Sequence, residues 1–485
     1  MWFSPFRGGV HPDGFKEMSS QLPIKTLPLP KELRIALRQH AGSDAIPIVK
    51  VGDYVLKGQL IAKNGPGLSA PIHAPTSGIV SNIMPVVAAH PSGLESTAIV
   101  IAVDGKDQAI PNTSNLDPFT LDKKLLSDRI DQAGIVGMGG ASFPSAIKLI
   151  SATKTHIETL IINGGECEPY LTADDRLMRE RADDIVLGAR LIRYIIDADR
   201  AVIAIEDNKT QAIDAMRKAT NNVENVDVVV VPTRYPMGSA KQMIQAVIGK
   251  EVPAGGRSSD VGVLMHNVAT TYAIARALTQ GEPLISRIVT VSGGAIKQPQ
   301  NVEALIGTPL SHFVEHCGGV LTEPDRIILG GPMMGHIMPN LNVPLNKGSG
   351  GVLALTRKEI SDEGSSPCIR CGRCVDACPM GLVPLEMANH SKHQDFDGAK
   401  EYGLKDCILC GSCAYVCPSH IPLVHYFQYA KGELSKQQVE NRRADFTREL
   451  ADSKRERKEK EAQAKAAAKA AKQAKSKKPL KAEAE

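Results

Sequence analysis

Eight of the ten cysteines lie within residues 368–417 and form two runs of the same spacing. Each run has the form Cys-x2-Cys-x2-Cys-x3-Cys-Pro. Three closely spaced thiolates and a distant fourth can occupy the corners of a cubane [4Fe–4S] cluster. A zinc ribbon or a disulfide knot is the alternative, although zinc sites normally use two Cys-x2-Cys pairs. The repeated run favours iron–sulfur clusters. The candidate ligands are Cys368, Cys371, Cys374, Cys378, Cys407, Cys410, Cys413 and Cys417.

The paired runs resemble those of bacterial two-cluster ferredoxins. In that fold the fourth cysteine of each run binds the cluster of the other run. Clusters held in this crossed way lie close together, which suits the transfer of single electrons. The sets implied by the resemblance are Cys368, Cys371, Cys374 with Cys417, and Cys407, Cys410, Cys413 with Cys378.

A glycine-rich segment at 134–148 reads GIVGMGGASFPSAIK and precedes a helical pattern. Backbone N–H groups at such a turn form a site for anions at a helix N-terminus. The segment is not a Walker loop, because no Gly-Lys-Ser/Thr follows. It also departs from the Rossmann fingerprint, because Ser142 stands at the third glycine position. A tight loop that packs against a sheet is the alternative.

A second segment, NGGECEPY at 163–170, follows an apolar strand pattern. Its two carboxylates, Glu166 and Glu168, can accept hydrogen bonds from ribose hydroxyls or a flavin ring at the mouth of a strand. A solvated loop is the alternative. Cys167, which lies between them, is interpreted as a small packing residue rather than a nucleophile.

Taken in order, these segments resemble the flavin-binding subunit of respiratory complex I and related NADH-oxidising flavoproteins. The chain is similar in particular to the C subunits of the Rnf (Rsx) ion-translocating electron-transport complexes. This resemblance extends over nearly the whole chain. Further matching segments are RYPMGSAKQMIQAVIGKEVPAGGRSSDVGVLMHNVAT at 234–270 and LGGPMMG at 329–335.

The resemblance implies bound FMN and a site for NADH as substrate. Glu166 would face the nicotinamide nucleotide, with Glu168 as the second catalytic carboxylate. Two residues depart from the complex I pattern: Gly165 replaces an acidic residue, and Tyr170 replaces a glycine. The residues implied to hold the cofactor are Gly137, Gly139, Gly140, Lys148, Asn163, Glu166 and Asn267.

Strand and helix patterns predict a multidomain α/β chain that positions these groups. In the N-terminal part, short strands broken by glycine resemble those of biotinyl/lipoyl domains, but the lysine to which the cofactor attaches is missing. In the central part, apolar strands alternate with helices, which predicts an α/β domain that binds ligands at the ends of its strands. The predicted domains are a small N-terminal β barrel-sandwich (1–115), an α/β FMN/NADH-binding domain (116–282), a β-grasp module (283–354), a two-cluster ferredoxin-like module (355–432) and a charged Ala/Lys-rich tail (433–485), expected as a fraying helix or as partly disordered.

Charge and hydropathy narrow the possible partners. The formal net charge is +4, but residues 451–485 alone carry +6, so the remaining body is almost neutral and no nucleic-acid partner is expected. No run of 18 apolar residues occurs, so no transmembrane helix is expected. The first residues show no charged segment followed by an apolar one, so no secretory signal is expected and the cytosol is the expected location. The basic tail could contact anionic lipid or an acidic partner, or be a solvated tail without an essential role.

These features together predict a converter of two-electron into one-electron chemistry. NADH delivers hydride, a flavin accepts it and releases electrons singly, and each cluster carries one electron. We therefore expect an NADH-oxidising peripheral subunit on the cytoplasmic face of the cell inner membrane. Its expected partners are integral-membrane and iron–sulfur subunits and ferredoxin or an equivalent carrier. The alternatives are a non-catalytic iron–sulfur adaptor and a soluble NADH-linked oxidoreductase subunit with another acceptor.

Overall fold

The computed structural model describes residues 6–90, 93–111, 117–140, 142–361 and 363–476. The chain divides into two compact units, of which the first comprises Met1–Leu385 and Asp406–Val424. The second comprises Glu386–Lys405 and His425–Glu485. All eight clustered cysteines and all other predicted site residues belong to the first unit.

The N-terminal part of the chain forms two antiparallel sheets. One has the strand order β2-β8-β7-β4 and the other β3-β5-β6. Alternate side chains such as Leu33, Ile35, Ile99 and Ile101 are fully buried and form the core of this part. The elements are a 3-10 helix Lys16–Met18, β1 Lys25–Thr26, β2 Glu32–Ala36, β3 Ile46–Pro47, β4 Tyr54–Val55, β5 Leu60–Lys63, β6 Ile72–His73, β7 Gly78–Val87 and β8 Glu95–Val103.

The central part is an α/β domain around a parallel sheet of order β11-β10-β9-β12. All six residues of β9 are buried, which is typical of strands in parallel sheets. The elements are a 3-10 helix Pro118–Thr120, α1 Lys123–Gln132, α2 Ser145–Ala152, β9 Thr159–Gly164, α3 Ala173–Glu180, α4 Ala182–Ile196, β10 Arg200–Glu206, α5 Thr210–Thr220, β11 Val226–Val231, α6 Ala240–Ile248, a 3-10 helix Ser258–Val261, β12 Val263–Asn267 and α7 Val268–Gln280.

The third sheet has the order β1-β14-β13-β17-β15-β16. Its first strand comes from the N-terminal part of the chain, because Lys25 of β1 pairs in parallel with Val302 of β14. This pairing joins residues that the sequence patterns assigned to separate domains. The elements are β13 Ser286–Ser292, β14 Gln300–Leu305, α8 Leu310–His316, β15 Arg326–Leu329, β16 His336–Ile337 and β17 Gly351–Leu355.

Short helices carry the cysteine runs, and one long helix ends the described chain. None of the helices in the described ranges combines the length and apolar character needed to span a membrane. The elements are a 3-10 helix Arg357–Glu359, α9 Arg373–Asp376, α10 Pro384–Lys392, α11 Phe396–Glu401, a 3-10 helix Leu404–Asp406, α12 Ser412–Tyr415 and α13 Leu423–Ser476.

Residues 433–476 of the predicted tail lie within α13, so of the two expected forms the structure shows a helix as far as Ser476. Residues 477–485 lie outside the described residues. The predicted boundary at residue 432 falls inside this helix, with no break in the backbone. Side chains are exposed from Ser435 to Gln473, which agrees with the absence of an apolar stripe in the sequence.

Deleting residues 451–485 is therefore expected to leave the thermal unfolding midpoint and the cofactor content unchanged. The described side chains up to residue 473 are exposed and bury no apolar surface. The control is Phe427→Ala, which empties a site only 1% exposed and should cost about 3–5 kcal/mol. Differential scanning fluorimetry with flavin and iron analysis measures both variants. Cofactor loss on truncation would show that the tail packs on the rest of the chain.

Candidate functional site

Two asparagines that were predicted to hold the cofactor lie side by side at one edge of the parallel sheet. Asn163 in β9 and Asn267 in β12 occupy paired positions at the carboxyl ends of adjacent strands. The Asn163 side-chain amide donates to the Gly238 carbonyl at 2.8 Å, and its oxygen accepts from the Gly165 N–H at 2.9 Å. The Asn267 oxygen caps α7 by accepting from the Ala269 N–H at 2.9 Å. Ligands of open parallel sheets bind at this edge.

The glycine-rich loop lies against the N-terminus of α7. A Cβ on Gly139 would stand 3.1 Å from the Cβ of Asn267, so a side chain there would push on the α7 cap. The Met138 N–H donates to the Thr270 hydroxyl at 2.9 Å. Gly140 has φ +152°, and the space where its Cβ would stand is open. The loop therefore presents backbone, without side chains, beside a helix N-terminus, an arrangement that attracts phosphate.

Two cations, the half-buried Lys148 and the buried Arg287, flank this region. Lys148 on α2 donates from Nζ to a backbone carbonyl of β12, and burial lowers its pKa to about 8. Burial also lowers the pKa of Arg287 to about 10, while the charge of Asp174 opposes this shift. Gly137 closes the base of the loop by donating from its N–H to the Phe143 carbonyl at 2.8 Å. The open loop, the helix N-terminus and these cations fit the phosphate of FMN.

The carboxylate of Glu166 is buried and lies at the N-terminus of α3. Its two oxygens accept from the backbone N–H groups of Asp174 at 2.9 Å and Asp175 at 3.2 Å. Burial raises the pKa of Glu166 to about 7, and the ammonium of Lys16 opposes the rise. Asp174 in turn accepts from the Asn267 amide at 2.6 Å. Asp174 therefore connects Glu166 to Asn267, which ends β12 beside the glycine-rich loop.

Glu168 is held by the segment LGGPMMG at 329–335. Its carboxylate accepts from the N–H of Met333 at 3.0 Å and of Met334 at 2.9 Å. A Cβ on Gly331 would lie 2.2 Å from this carboxylate, so the close approach requires glycine. Burial raises the pKa of Glu168 to about 7. Cys167, between the two glutamates, accepts from the Gly238 N–H, and burial raises its thiol pKa, which accords with a packing role.

Sequence reasoning missed Lys16. Its Nζ donates to the carbonyls of Glu166 at 2.8 Å, Glu168 at 2.9 Å and Leu171 at 2.7 Å. Lys209, which is paired with a buried glutamate of β10, adds a longer bond of 3.3 Å to the Glu166 carbonyl. No local motif marks Lys16, because its partners lie about 150 residues further along the chain.

Tyr170 explains one departure from the complex I pattern. Its φ of +66° lies in the left-handed region, which favours the glycine of that pattern. Phe15 stacks on the Tyr170 ring with centroids 4.7 Å apart. The Tyr170 hydroxyl donates to the Glu359 carboxylate at 2.8 Å. These contacts offset the backbone strain, so the N-terminal segment supports the loop at two adjacent residues.

The two cysteine runs have the same backbone course. In each run the residue before the second cysteine has a positive φ, 52° at Arg370 and 57° at Leu409. The glycine after that cysteine also has a positive φ, 79° at Gly372 and 82° at Gly411, and begins a short helix. The repetition of this geometry indicates two equivalent binding sites.

The pKa values of some thiols are affected by the charge of a cysteine in the other run. Burial raises the pKa of Cys413 and Cys410, and the charge of Cys378 from the other run adds to both shifts. Burial likewise raises the pKa of Cys374, with a contribution from Cys368 of its own run. The described residues contain no group of three or more His, Cys, Asp or Glu arranged to hold a single metal ion. The thiolates that bind a cubane cluster lie further apart than the ligands of a single metal ion, because iron and sulfide atoms lie between them. The thiol set fits that chemistry.

The fold and these two regions define an electron-transfer protein with a flavin and iron–sulfur clusters. Four family models match in succession and confirm the predicted fold class and the FMN and iron–sulfur cofactors. The predicted domain boundaries and ligand roles stay predictions. The models are an RnfC barrel sandwich hybrid domain at 4–106, a Nuo51 FMN-binding domain at 130–276, an SLBB domain at 288–336 and a 4Fe-4S dicluster domain at 367–421.

The chain belongs to the family of C subunits of ion-translocating oxidoreductase complexes of the Rnf type. It is 51% identical over 433 residues to the C subunit of such a complex from Rhodobacter capsulatus, covering 89% of this chain and 83% of the relative. The C subunit from Haemophilus influenzae strain 86-028NP is 46% identical over 456 residues, covering 94% and 68%. A chain of an NAD+-reducing [NiFe]-hydrogenase is 18% identical with a TM-score of 0.46, covering 61% of this chain and 60% of that one.

Replacing Lys16 with methionine is expected to destabilise the loop that carries both glutamates. Three half-buried carbonyls lose their charged donor, and a hydrogen bond to a charged group contributes about 1.5–3 kcal/mol. Denaturant unfolding followed by circular dichroism measures the loss. Lys31→Met is the matched control, because Lys31 is exposed. Equal free energies of unfolding for the two variants would show that Lys16 does not stabilise this loop.

Proposed function

We propose that this chain is the NADH-oxidising electron-input subunit of its complex. The observation that carries the proposal is the position of the loop bearing Glu166 and Glu168. On one side, Glu166 connects through Asp174 to the α7 cap and the glycine-rich loop. On the other side, Glu168 binds Met333, whose carbonyl approaches the second cysteine run. A nucleotide on this loop would lie between the flavin site and a cluster site.

Bound FMN supplies the chemistry that accepts a hydride and releases electrons one at a time. The residues of the chain bind and orient the reactants. The N–H groups of Gly139 and Gly140, together with the N-terminus of α7, would hold the phosphate. Glu166 and Glu168 accept hydrogen bonds from nucleotide hydroxyls with the lone pairs that their backbone partners leave free. Their burial excludes water from the groups that they hold.

At the level of the complex, we propose electron transfer between NADH and ferredoxin or an equivalent carrier, coupled to ion translocation. The chain would dock peripherally on integral-membrane and iron–sulfur subunits at the cytoplasmic face of the inner membrane. Membership of a family of complex subunits supports an assembly with other chains. Co-purification with integral-membrane subunits tests the assembly, and recovery of the chain alone under gentle solubilisation would contradict it.

The test of NADH oxidation is anaerobic addition of NADH to the purified chain with FMN and clusters in place. Bleaching of the flavin absorbance at stoichiometric NADH is the expected result. An FMN-loaded chain that NADH does not bleach, but that dithionite does, would contradict the proposal and favour the non-catalytic adaptor.

Replacing Glu166 with glutamine should weaken the use of NADH and reduce the preference for NADH over NADPH. The carboxylate repels the additional phosphate of NADPH and accepts charge-assisted hydrogen bonds, and glutamine keeps the size while removing the charge. The expected loss in kcat/KM for NADH corresponds to about 1–3 kcal/mol. Steady-state kinetics with both nucleotides and an artificial acceptor measure it.

Two outcomes of this experiment would redirect the assignment of Glu166. Unchanged kinetic constants with both nucleotides would remove Glu166 from the nucleotide site and direct attention to Glu168. Loss of FMN from the variant would show that Glu166 serves the flavin. The unfolding midpoint is the control, since Glu166 also binds the first turn of α3.

Replacing Cys378 with alanine should damage the cluster otherwise held by Cys407, Cys410 and Cys413. The reason is the crossed set that the ferredoxin resemblance implies, and the charge of Cys378 adds to the burial that raises the pKa of Cys410 and Cys413. EPR spectra of dithionite-reduced protein distinguish the clusters, with Cys368→Ala as the matched variant for the other set. If Cys378→Ala and Cys368→Ala lost the same cluster, the crossed assignment would be wrong.

A further inference from the structure

The exposed part of helix α13 carries its acidic residues on one side. Every side chain from Ser435 to Gln473 is exposed. Successive residues of an α-helix are rotated by about 100°, so residues three or four apart share a face. Five acidic residues follow one another at spacings of 4, 3, 4 and 3, and they therefore lie within about 80° of arc. They are Asp445, Glu449, Asp452, Glu456 and Glu459.

The opposite side of α13 carries cations. Seven lysines and arginines share about 140° of arc there. Two glutamates, Glu440 and Glu461, interrupt this side, and Arg457 pairs with Glu461 at 3.8 Å. The five lysines have no ion-pair partner among the residues that the structure describes. The seven cations are Arg443, Lys454, Arg457, Lys458, Lys465, Lys469 and Lys472.

Three apolar side chains lie on the same side as the cations. Val439, Phe446 and Leu450 follow one another at spacings of 7 and 4. They do not form a continuous stripe, yet their exposed fractions are 47%, 61% and 56%. Helices that lie at a membrane surface combine Lys and Arg with large apolar residues such as Phe and Leu. We call these three residues and the seven cations the contact face of α13.

The shape and charge of the contact face indicate its partner. The face extends from residue 439 to residue 472, which is about 50 Å at 1.5 Å per residue. An extended anionic surface can contact such a straight row of cations along its whole length, while the acidic side remains in water. Anionic lipid headgroups attract basic segments in this way, and the apolar boundary below them accepts Phe and Leu. Nucleic-acid phosphates offer the three apolar residues no such environment.

We infer that the contact face of α13 binds the surface of a bilayer that contains anionic phospholipids. The lysines and arginines lie against the headgroup phosphates, and Phe446 and Leu450 enter the boundary between headgroups and acyl chains. This lipid contact goes beyond the proposed electron-input function and beyond docking on other subunits. It uses none of the residues assigned to the flavin, the nucleotide or the clusters.

The inference is tested by moving two lysines to the acidic side of α13 without changing the composition. The exchange variant combines Lys465→Ala with Ala467→Lys and Lys469→Ala with Ala470→Lys. Alanine and lysine both favour helix, so the helix is retained, which circular dichroism checks. The matched control keeps both charges on the contact face by combining Lys465→Ala with Ala464→Lys and Lys469→Ala with Ala468→Lys.

Binding is measured by sedimentation of the full chain, with its cofactors, with vesicles of phosphatidylglycerol and phosphatidylethanolamine. At physiological ionic strength the Debye length is about 8 Å, which is shorter than the helix diameter of about 10–12 Å. Charges moved to the far side are therefore screened, and the exchange variant should bind about tenfold more weakly. The matched control should bind like the unmodified chain. Vesicles of phosphatidylcholine alone should retain none of the three proteins.

Insertion of the apolar residues is tested by tryptophan fluorescence. Phe446→Trp places the reporter on the contact face, and Glu449→Trp places it on the acidic side. Anionic vesicles should shift the emission to shorter wavelength in the first variant alone. The signal of the unmodified chain, which contains one tryptophan, is subtracted. Equal shifts in both variants would show that α13 does not lie on the bilayer with this face.

Four outcomes would overturn the inference. An unmodified chain that does not sediment with anionic vesicles has a solvated tail. Equal affinities of the exchange variant and the matched control would mean that net charge alone causes binding. If the exchange weakens binding to duplex DNA or to co-purifying subunits but not to vesicles, the partner is a nucleic acid or an acidic protein. Self-association of the lipid-free chain that the exchange abolishes would identify a second copy.

The outcome is separate from that of the proposed function. Vesicle binding requires neither NADH nor reduction of the flavin, so a chain that NADH does not bleach can still be tested for it. Conversely, bleaching of the flavin by NADH in the exchange variant should equal that in the unmodified chain, because the exchanged residues lie outside the flavin and nucleotide sites.

Discussion

The ammonium group of Lys16 holds the loop on which both candidate sites depend. Three backbone carbonyls of residues 166–171 converge on this one half-buried cation. Removing polar groups from water without giving them partners is costly, so the N-terminal segment and the loop are expected to fold together. With its backbone fixed, the loop directs Glu166 towards α3 and Glu168 towards the segment 329–335. A single cation thereby orients two carboxylates towards different parts of the chain.

The burial of these carboxylates is costly in itself, and the structure compensates it with oriented backbone donors. Glu166 and Glu168 each accept two backbone N–H groups, yet burial still raises the pKa of both to about 7. Donors fixed in advance need no rearrangement when a ligand binds, and they act strongly where water is excluded. A loop of this kind suits the recognition of a polar nucleotide between a flavin site and a cluster.

Two glycines and one tyrosine allow the glutamate loop, the segment 329–335 and the second cysteine run to pack closely. Gly331 permits contact with Glu168, and Gly411 permits contact with the Met333 carbonyl. Tyr170 takes the left-handed backbone that a glycine would adopt more easily, and stacking by Phe15 compensates for the strain. The distances between the flavin side and the cluster side therefore depend on close approaches that only glycine permits at Gly331 and Gly411.

The sequence by itself determined the features that depend on short-range spacing. The two cysteine runs, the glycine-rich loop and the position of Asn163 at the end of a buried strand were all predictable, because residue spacing and strand patterning dictate them. Only the tertiary structure decided which distant groups meet. Lys16 lies about 150 residues from the carbonyls that it binds, and β1 joins a sheet whose next strand begins at Gln300. Such contacts leave no periodic pattern in the chain, because a single ammonium or a two-residue strand acquires its partners only when remote segments pack together.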